Sequence, residues 1–298
     1  MKFFTVEKLN AISDLIRLKK QYGTLLLMLP TLWSLFVAGS GRPPVRLVVI
    51  FVLGSFLMRS AGCVINDITD RNFDSRVQRT KERPLASGRM TISEGIVVFL
   101  TLLLLASGLV LMLNPLCMIL SFIGLVFAII YPFMKRFISI PQFFLGVAFG
   151  WGAIMAWAAV RNEIGIPSLL IFFATICWAI SYDTIYALMD IEDDLLIGVK
   201  STAILFGRYT WLAVAICLIL VCFFLILLGL IADLGQLYYF SVAAISVFFL
   251  YQVLRIREGA DYSMAFRLFK SNVGVGILLL IGIILDYRSK VIFAVFGR

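Results

Sequence analysis

The chain contains no histidine. A zinc or haem site with imidazole ligands is therefore excluded. Charge is scarce as well. Asp, Glu, Lys and Arg make up 14% of the sequence, against about a quarter in soluble globular proteins. None of the five cysteines (Cys63, Cys117, Cys177, Cys217 and Cys222) belongs to a CxxC pair, and all lie in apolar runs. Small buried residues are the expectation there, not a redox or metal centre. No low-complexity linker divides the chain. The first 21 residues carry charges through Lys20 and lack a small-residue cleavage site after an early apolar core. No signal peptide is expected, and the first span itself would direct the chain to the membrane.

What the sequence does have is apolar length. Of its 298 residues 62% are hydrophobic, and the mean hydropathy is +1.03. The apolar segments are continuous, not alternating, which favours helices over a barrel among the structures that can cross a bilayer. The expected fold is an all-α polytopic membrane protein in a single domain over 1–298, with an amphipathic segment over 1–21 and a nine-helix bundle over 22–288. Nine runs approach the roughly 20 residues that a bilayer needs: Thr24–Ala38, Leu47–Ile65, Ile92–Leu113, Leu116–Phe133, Ile138–Val160, Leu169–Ala187, Trp211–Ile231, Leu237–Leu254 and Asn272–Tyr287. Before them, Leu9, Ile12, Leu15 and Ile16 recur at helical spacing beside Arg17, Lys19 and Lys20. This predicts a short helix over Lys8–Lys20 lying on the membrane surface.

The net charge of +9 does not imply a nucleic-acid partner, because the basic residues sit in short loops, where they set membrane orientation. Placing the N-terminus in the cytoplasm puts the great majority of them on that side. The C-terminus is then expected outside. The same count puts two acidic stretches at the cytoplasmic face. Eight of the 17 acidic residues fall in these stretches: Asp67, Asp70 and Asp74 in the first, and Asp183, Asp190, Glu192, Asp193 and Asp194 in the second. Each follows an apolar run, each is followed by a basic loop, and Asp70 and Asp190 are 120 residues apart. This is a faint parallel repeat.

Asn66, Asp70 and Asp74 are spaced i, i+4, i+8, one helical face, with Asp67 nearby. Asp183 and Asp190 are seven apart, nearly the same face, with Asp194 one turn further on. Two such faces meeting would crowd carboxylates that repel one another. A divalent cation resolves that conflict, and oxygen-only ligands favour Mg²⁺, which keeps positions open for phosphate oxygens. Arg71, Arg76, Arg79, Lys81, Arg83, Lys135 and Lys200 lie near the same face and suit an anionic substrate, although topology alone also accounts for loop cations. Arg59, one heptad before Asn66 and inside a span, is a functional candidate because a charge there is costly. Tyr131 and Lys135 are i, i+4; on spacing alone, an aromatic-belt Tyr with an interface Lys explains them. A rival class is a cation transporter or channel, which also uses carboxylates in helical bundles. Such sites lie near the bilayer midplane and often between inverted repeats, whereas these carboxylates lie at span ends.

Two motifs carry a resemblance. Asn66-Asp67-x-x-Asp70-x-x-x-Asp74, followed by Arg79-Thr80-Lys81-Glu82-Arg83-Pro84-Leu85-Ala86-Ser87-Gly88, resembles the first signature of the UbiA-type intramembrane prenyltransferases. Tyr182-Asp183-Thr184-x-Tyr186-Ala187-x-x-Asp190-x-x-Asp193-Asp194, with Gly198-Val199-Lys200-Ser201-Thr202-Ala203, resembles the second. Arg17-Leu18 to Pro30-Thr31-Leu32-Trp33 and Lys200–Gly207 are similar to the 4-hydroxybenzoate polyprenyltransferase branch. Lys19-Lys20-Gln21-Tyr22-Gly23 departs from it where Asp-Lys-Pro-x-Gly is more usual.

The resemblance implies nine helices around a central cavity with a cytoplasmic cap, opening sideways to lipid, in a bacterial or mitochondrial inner membrane. It implies Mg²⁺-dependent transfer of a polyprenyl group from its diphosphate to a small aromatic acid, in ubiquinone biosynthesis. Asn66, Asp67, Asp70, Asp74, Asp183, Asp190 and Asp194 are the expected metal ligands, with Asp70, Asp74, Asp190 and Asp194 as the catalytic set. Arg59, Arg71, Lys81, Arg83, Tyr131, Lys135 and Lys200 are expected on the diphosphate, and Arg17 is a candidate for the aromatic carboxylate. Naphthoate, haem and chlorophyll-type acceptors are the alternatives within the family.

Overall fold

The computed structural model describes residues 5–77, 79–198 and 200–296, excepting the side chains of 135, 197 and 293–296. Twelve α-helices are present among them: α1 Val6–Leu15, α2 Tyr22–Ala38, α3 Val45–Asp74, α4 Ile92–Val110, α5 Pro115–Phe137, α6 Pro141–Arg161, α7 Ile166–Ala187, α8 Ile191–Ile197, α9 Thr202–Phe206, α10 Thr210–Ile231, α11 Gln236–Arg257 and α12 Tyr262–Phe296. Among the described residues, eight helices are long and apolar enough to cross a membrane, and α2 is a ninth, shorter apolar helix. The nine expected spans correspond to α2–α7 and α10–α12, so the protein is an all-helical, multi-pass membrane protein.

The starts of these helices follow from local chemistry. Pro115 and Pro141 open α5 and α6, where a missing N–H costs nothing and the fixed φ suits the first turn. Thr91 and Glu94 form a reciprocal capping box at α4, and the Asn114 side chain accepts the Cys117 N–H at 2.9 Å. Asn162, at φ 55°, closes α6 in the left-handed conformation that Asn tolerates.

α6 and α7 form the inner pair. A Cβ at Gly146 would lie 2.7 Å from the Ile176 Cα, so only glycine permits this approach of backbones, the usual way membrane helices gain packing. In α7 61% of the apolar window is buried, against 22% in α4 and 17% in α5. The largest core cluster joins α2, α6, α7, α10, α11 and α12 around Trp33, Trp178 and Tyr238. A smaller one joins α1, α3 and α4 through Ala11, Leu15, Val64, Leu85 and Leu102. α3 packs against α2 and α6 through Phe51, while α4 and α5 are the least buried of the spans.

Three features differ from the sequence expectations. α1 ends at Leu15, not Lys20, because Arg17 takes φ 57° and turns its side chain toward α3. One side of it packs into the α3–α4 cluster, with Leu15 fully covered, while Val6 and Leu9 stay exposed on the other. α3 continues helically to Asp74 and carries the whole first acidic stretch. The second stretch is broken: α7 ends at Ala187 and α8 begins at Ile191.

Candidate functional site

Both acidic stretches open onto one polar cavity of about 800 Å³ at the end of the bundle. On α3, the i, i+4, i+8 spacing holds, and Asn66, Asp70 and Asp74 all line it, as does Asp67. Asp67 and Asp70 are each 1% exposed. Carboxylates so deeply placed require cations, and the neighbouring loop supplies one. Arg83 donates to Asp67 at 3.2 Å and to Asp74 at 2.7 Å. From the α1–α2 turn, Arg17 forms a two-pronged contact with Asp67 at 2.7 and 2.9 Å. Arg136, from the end of α5, donates to the Thr69 carbonyl and approaches Asp70 to 3.9 Å. It also lies over the Phe73 and Phe133 rings.

The second stretch reaches the cavity differently. Asp183 lies in the last turns of α7. Asp190 sits outside that helix as the N-cap residue of α8, with φ −113° and ψ 4°, and Asp194 follows one turn into α8. All three line the cavity, but Asp183 and Asp190 do not share a face of one helix. Arg79 grips Asp190 with two parallel bonds, 2.9 and 2.6 Å, donates to the Tyr186 hydroxyl at 2.6 Å, and lies 5.1 Å from that ring's centroid. Burial alone would lower the Arg79 pKa, but Tyr186 and Asp190 together hold it above its ordinary value. For Arg83, burial is likewise outweighed by Asp67 and Asp74. Both guanidiniums stay charged throughout the working pH range.

Other expected residues divide. Arg59, Tyr131 and Lys200 line the cavity. Lys200 also donates to the Phe137 carbonyl at 3.1 Å, at the C-terminus of α5, where a cation is favoured. Arg59 is fitted against α2: a Cβ at Gly23 would stand 2.5 Å from its guanidinium. Arg71 and Lys81 are exposed and do not line the cavity. Arg71 follows Asp70 by one residue, which rotates it about 100° round the helix, and it donates to the Leu85 carbonyl at 3.2 Å instead. The side chain of Lys135 lies outside the described residues.

Sequence reasoning did not single out Arg136 or Tyr186 as site residues, and treated Arg79 as one loop cation among several. Arg79 opens the second part of the first motif, which sets it apart from Arg76, but nothing in the local sequence separates Arg136 from Lys135.

Among the described residues, no three acidic or cysteine side chains are close enough to form a ready-made metal cage. The donor set nonetheless suits magnesium. It consists of oxygen ligands around one cavity, and Mg²⁺ is usually held by one or two carboxylates plus substrate phosphates rather than by an all-protein cage. The arginines now paired with the carboxylates are also natural phosphate ligands.

Among relatives, the chain is 47% identical to the 4-hydroxybenzoate octaprenyltransferase of Vibrio vulnificus (strain CMCP6) over 283 residues, covering 95% of this chain and 99% of that one. It is 45% identical to the enzyme of the same name from Serratia proteamaculans (strain 568), over 94% of this chain and 96% of that one. Its fold is similar to a UbiA homologue from Aeropyrum pernix K1 in its apo form, with a TM-score of 0.77 at 24% identity over 88% of this chain and 97% of that one. It is also similar to a UbiA homologue from Archaeoglobus fulgidus bound to GPP and Mg²⁺, with a TM-score of 0.68 at 16% identity over 93% and 99%. The model of the UbiA prenyltransferase family matches residues 27–274. With both acidic motifs gathered at one cavity and this match spanning most of its length, the chain belongs to the UbiA prenyltransferase family.

Proposed function

We propose that the protein transfers a polyprenyl group from polyprenyl diphosphate to the ring carbon ortho to the hydroxyl of 4-hydroxybenzoate, a step of ubiquinone biosynthesis. The observation that carries this reading is the convergence of Asn66, Asp70, Asp74, Asp183, Asp190 and Asp194 on one cavity lined also by Arg59, Arg79, Arg83 and Lys200. The choice of acceptor follows the relatives named 4-hydroxybenzoate octaprenyltransferase.

Magnesium, held by carboxylates of Asn66–Asp74 and Asp183–Asp194, would neutralise charge on the diphosphate. The arginines do the rest of that work. Arg79, Arg83 and Arg59 are placed to donate to diphosphate oxygens, and each donor aimed at the departing group stabilises the charge that develops as it leaves. The allylic C–O bond breaks and its electron pair leaves with the diphosphate. The apolar walls above Arg59 and Tyr131 keep water from the resulting allylic cation. The ring carbon ortho to the hydroxyl forms the new C–C bond, and the ring proton passes to a cavity carboxylate or to the departing diphosphate, since the chain has no imidazole to accept it. Arg17, on the cavity wall, is the candidate for the acceptor's carboxylate.

We place the protein in a bacterial inner membrane with both acidic stretches facing the cytoplasm, on the strength of the basic bias of the loops at that end. We also treat 1–298 as one working unit, with α1 part of the site's wall because Asp14 lines the cavity.

The test is to incubate membranes containing the protein with Mg²⁺, octaprenyl diphosphate and a panel of 4-hydroxybenzoate, dihydroxynaphthoate and other aromatic acids. Products identified by mass should be prenylated 4-hydroxybenzoate. Product from another acid and none from 4-hydroxybenzoate would overturn the acceptor; no product from any would overturn the transfer itself.

A further inference from the structure

Asp67 follows Asn66 by one residue, which turns it about 100° around α3, toward the α1–α2 turn and the α3–α4 loop. There it meets two guanidiniums. Its Oδ1 accepts from Arg17 Nη2 at 2.7 Å and from Arg83 Nη1 at 3.2 Å, and its Oδ2 accepts from the same Arg17 nitrogen at 2.9 Å. A carboxylate has about four acceptor positions, so these contacts leave it nearly saturated. Asp74 differs. Among the described residues, it accepts from Arg83 through Oδ2 alone, at 2.7 Å. Exposure follows the same division. The Asp67 side chain is 1% exposed, against 24% for Arg17 and 20% for Arg83. The guanidiniums, not the carboxylate, are what this corner shows to the cavity.

Arg17 is held there against its own backbone. It takes φ 57°, a conformation that glycine, asparagine and aspartate adopt far more readily. Such a residue persists where its surroundings over-determine it, and here they do. Its Nη1 donates to the Asp14 carbonyl at 2.8 Å, its own carbonyl accepts from Gln21 Nε2 at 3.0 Å, and Asp67 takes Nη2. Among the described residues, Asp67 is the one carboxylate paired with Arg17, whereas Arg83 is also gripped by Asp74. A divalent cation at Asp67 would have to displace these guanidiniums or sit beside them against like charge.

We infer that Asp67 is not a metal ligand but a positioning residue, which ties the α1–α2 turn and the α3–α4 loop to α3 and so aims Arg17 and Arg83 at the bound substrates. On this helix the metal is left to Asn66, Asp70 and Asp74. The roles of the two arginines, Arg17 on the acceptor's carboxylate and Arg83 on the diphosphate, rest on the proposed function. When Asp67 is neutralised, Arg83 keeps Asp74 and Arg17 loses its ionic partner. The acceptor side therefore depends on Asp67 more than the diphosphate side does.

Two measurements test this. In the first, Mn²⁺ replaces Mg²⁺, and bound metal is counted by electron paramagnetic resonance in wild type, Asp67→Asn and Asp70→Asn, with inorganic pyrophosphate and no acceptor. Asp67→Asn should bind as many ions as wild type, within about threefold in affinity, while Asp70→Asn loses about tenfold or more, at least the cost of disturbing a group behind a ligand. The two variants behaving alike, in either direction, would overturn the inference. No pyrophosphate-dependent Mn²⁺ binding by wild type would remove the diphosphate site and the inference with it. Because no acceptor is present, the count decides the role of Asp67 whichever aromatic acid is the substrate. In the second, kinetics use the aromatic acid that wild type prenylates. Asp67→Asn should raise KM for that acid about tenfold, the scale of losing a group that orients a ligand-binding side chain, and KM for octaprenyl diphosphate by about threefold or less. Arg17→Gln should act the same way, and the double variant should be no worse than either single one. A rise confined to the diphosphate KM, or additive effects of the two substitutions, would break the link between Asp67 and Arg17.

Discussion

The two acidic stretches look alike in sequence and are built differently. Asn66–Asp74 lies on an unbroken thirty-residue helix that begins at Val45, so its carboxylates are fixed relative to one another. Asp183–Asp194 crosses a joint: α7 stops at Ala187, three residues turn, and α8 restarts with Asp190 at its N-cap. The first half is buried and held by Arg17 and Arg83. The second is more open, with Asp190 13% exposed and held by Arg79 from a loop. A site of this construction has one rigid wall and one that can adjust, which suits a ligand that must bring its own metal and then part from its diphosphate.

The strongest way to break this comparison is to change the carboxylates themselves. Asp70→Ala and Asp190→Ala should each cut turnover about a thousandfold or more with insertion intact, the scale of losing a group that organises transition-state charge. Longer side chains separate the two walls. Asp70→Glu, with no slack in its helix, should remain about a hundredfold impaired, since a displacement near 1 Å costs that much. Asp190→Glu should recover to within about tenfold, because the joint can yield. Equal losses for the two glutamates, measured as kcat, would remove the distinction.

Next in size is the effect on stability. Arg83 spans Asp67 and Asp74, and Arg83→Ala leaves buried carboxylate behind, at a cost of about 3 kcal/mol. Arg79→Ala, at the more exposed joint, should cost about 1 kcal/mol or less. Thermal unfolding in detergent ranks the two, and the reverse order would contradict the assignment of rigid and adjustable walls.

Ligand loading gives a smaller signal. Since no carboxylates among the described residues are preassembled into a metal cage, Mg²⁺ alone should barely move the melting temperature. Mg²⁺ with inorganic pyrophosphate at about 100 times Kd should add roughly 2.7 kcal/mol. An equal shift from Mg²⁺ alone would mean that the protein supplies a complete metal site.

The smallest expected change is at Gly23. Alanine there meets the Arg59 guanidinium, and the flexible side chain, not the backbone, must yield. Gly23→Ala should raise KM for prenyl diphosphate about threefold, roughly 0.6 kcal/mol. In an Arg59→Ala background the same change should do nothing further, because the obstacle has gone; additive effects would show that Gly23 acts elsewhere.

Much of this was readable in the sequence, for reasons that can be named. Continuous apolar runs located the spans, and the i, i+4, i+8 spacing of Asn66, Asp70 and Asp74 placed them on one face. The break at Leu188–Asp190 was not readable. No glycine or proline marks it, the carboxylate spacing runs smoothly across it, and Asp190 is held by Arg79, a partner 111 residues away. The lengths of α3 and α12 were underestimated for a related reason, because helices continue beyond their apolar stretch when polar residues can satisfy the ends. Arg71 was misplaced because a charge beside an aspartate in sequence is a quarter turn from it in a helix.

The capping box at the start of α4 has a consequence for the order in which the protein is built. Glu94 closes the turn with Thr91 and also receives the Lys8 ammonium at 2.7 Å. The partner that anchors α1 thus lies 86 residues further along the chain than Lys8. Until the α3–α4 hairpin is inserted, Ala11 and Leu15 have no surface to cover them, and Arg17 has no carboxylate to meet. The wall that α1 contributes to the cavity is therefore completed only after the hairpin behind it is in place.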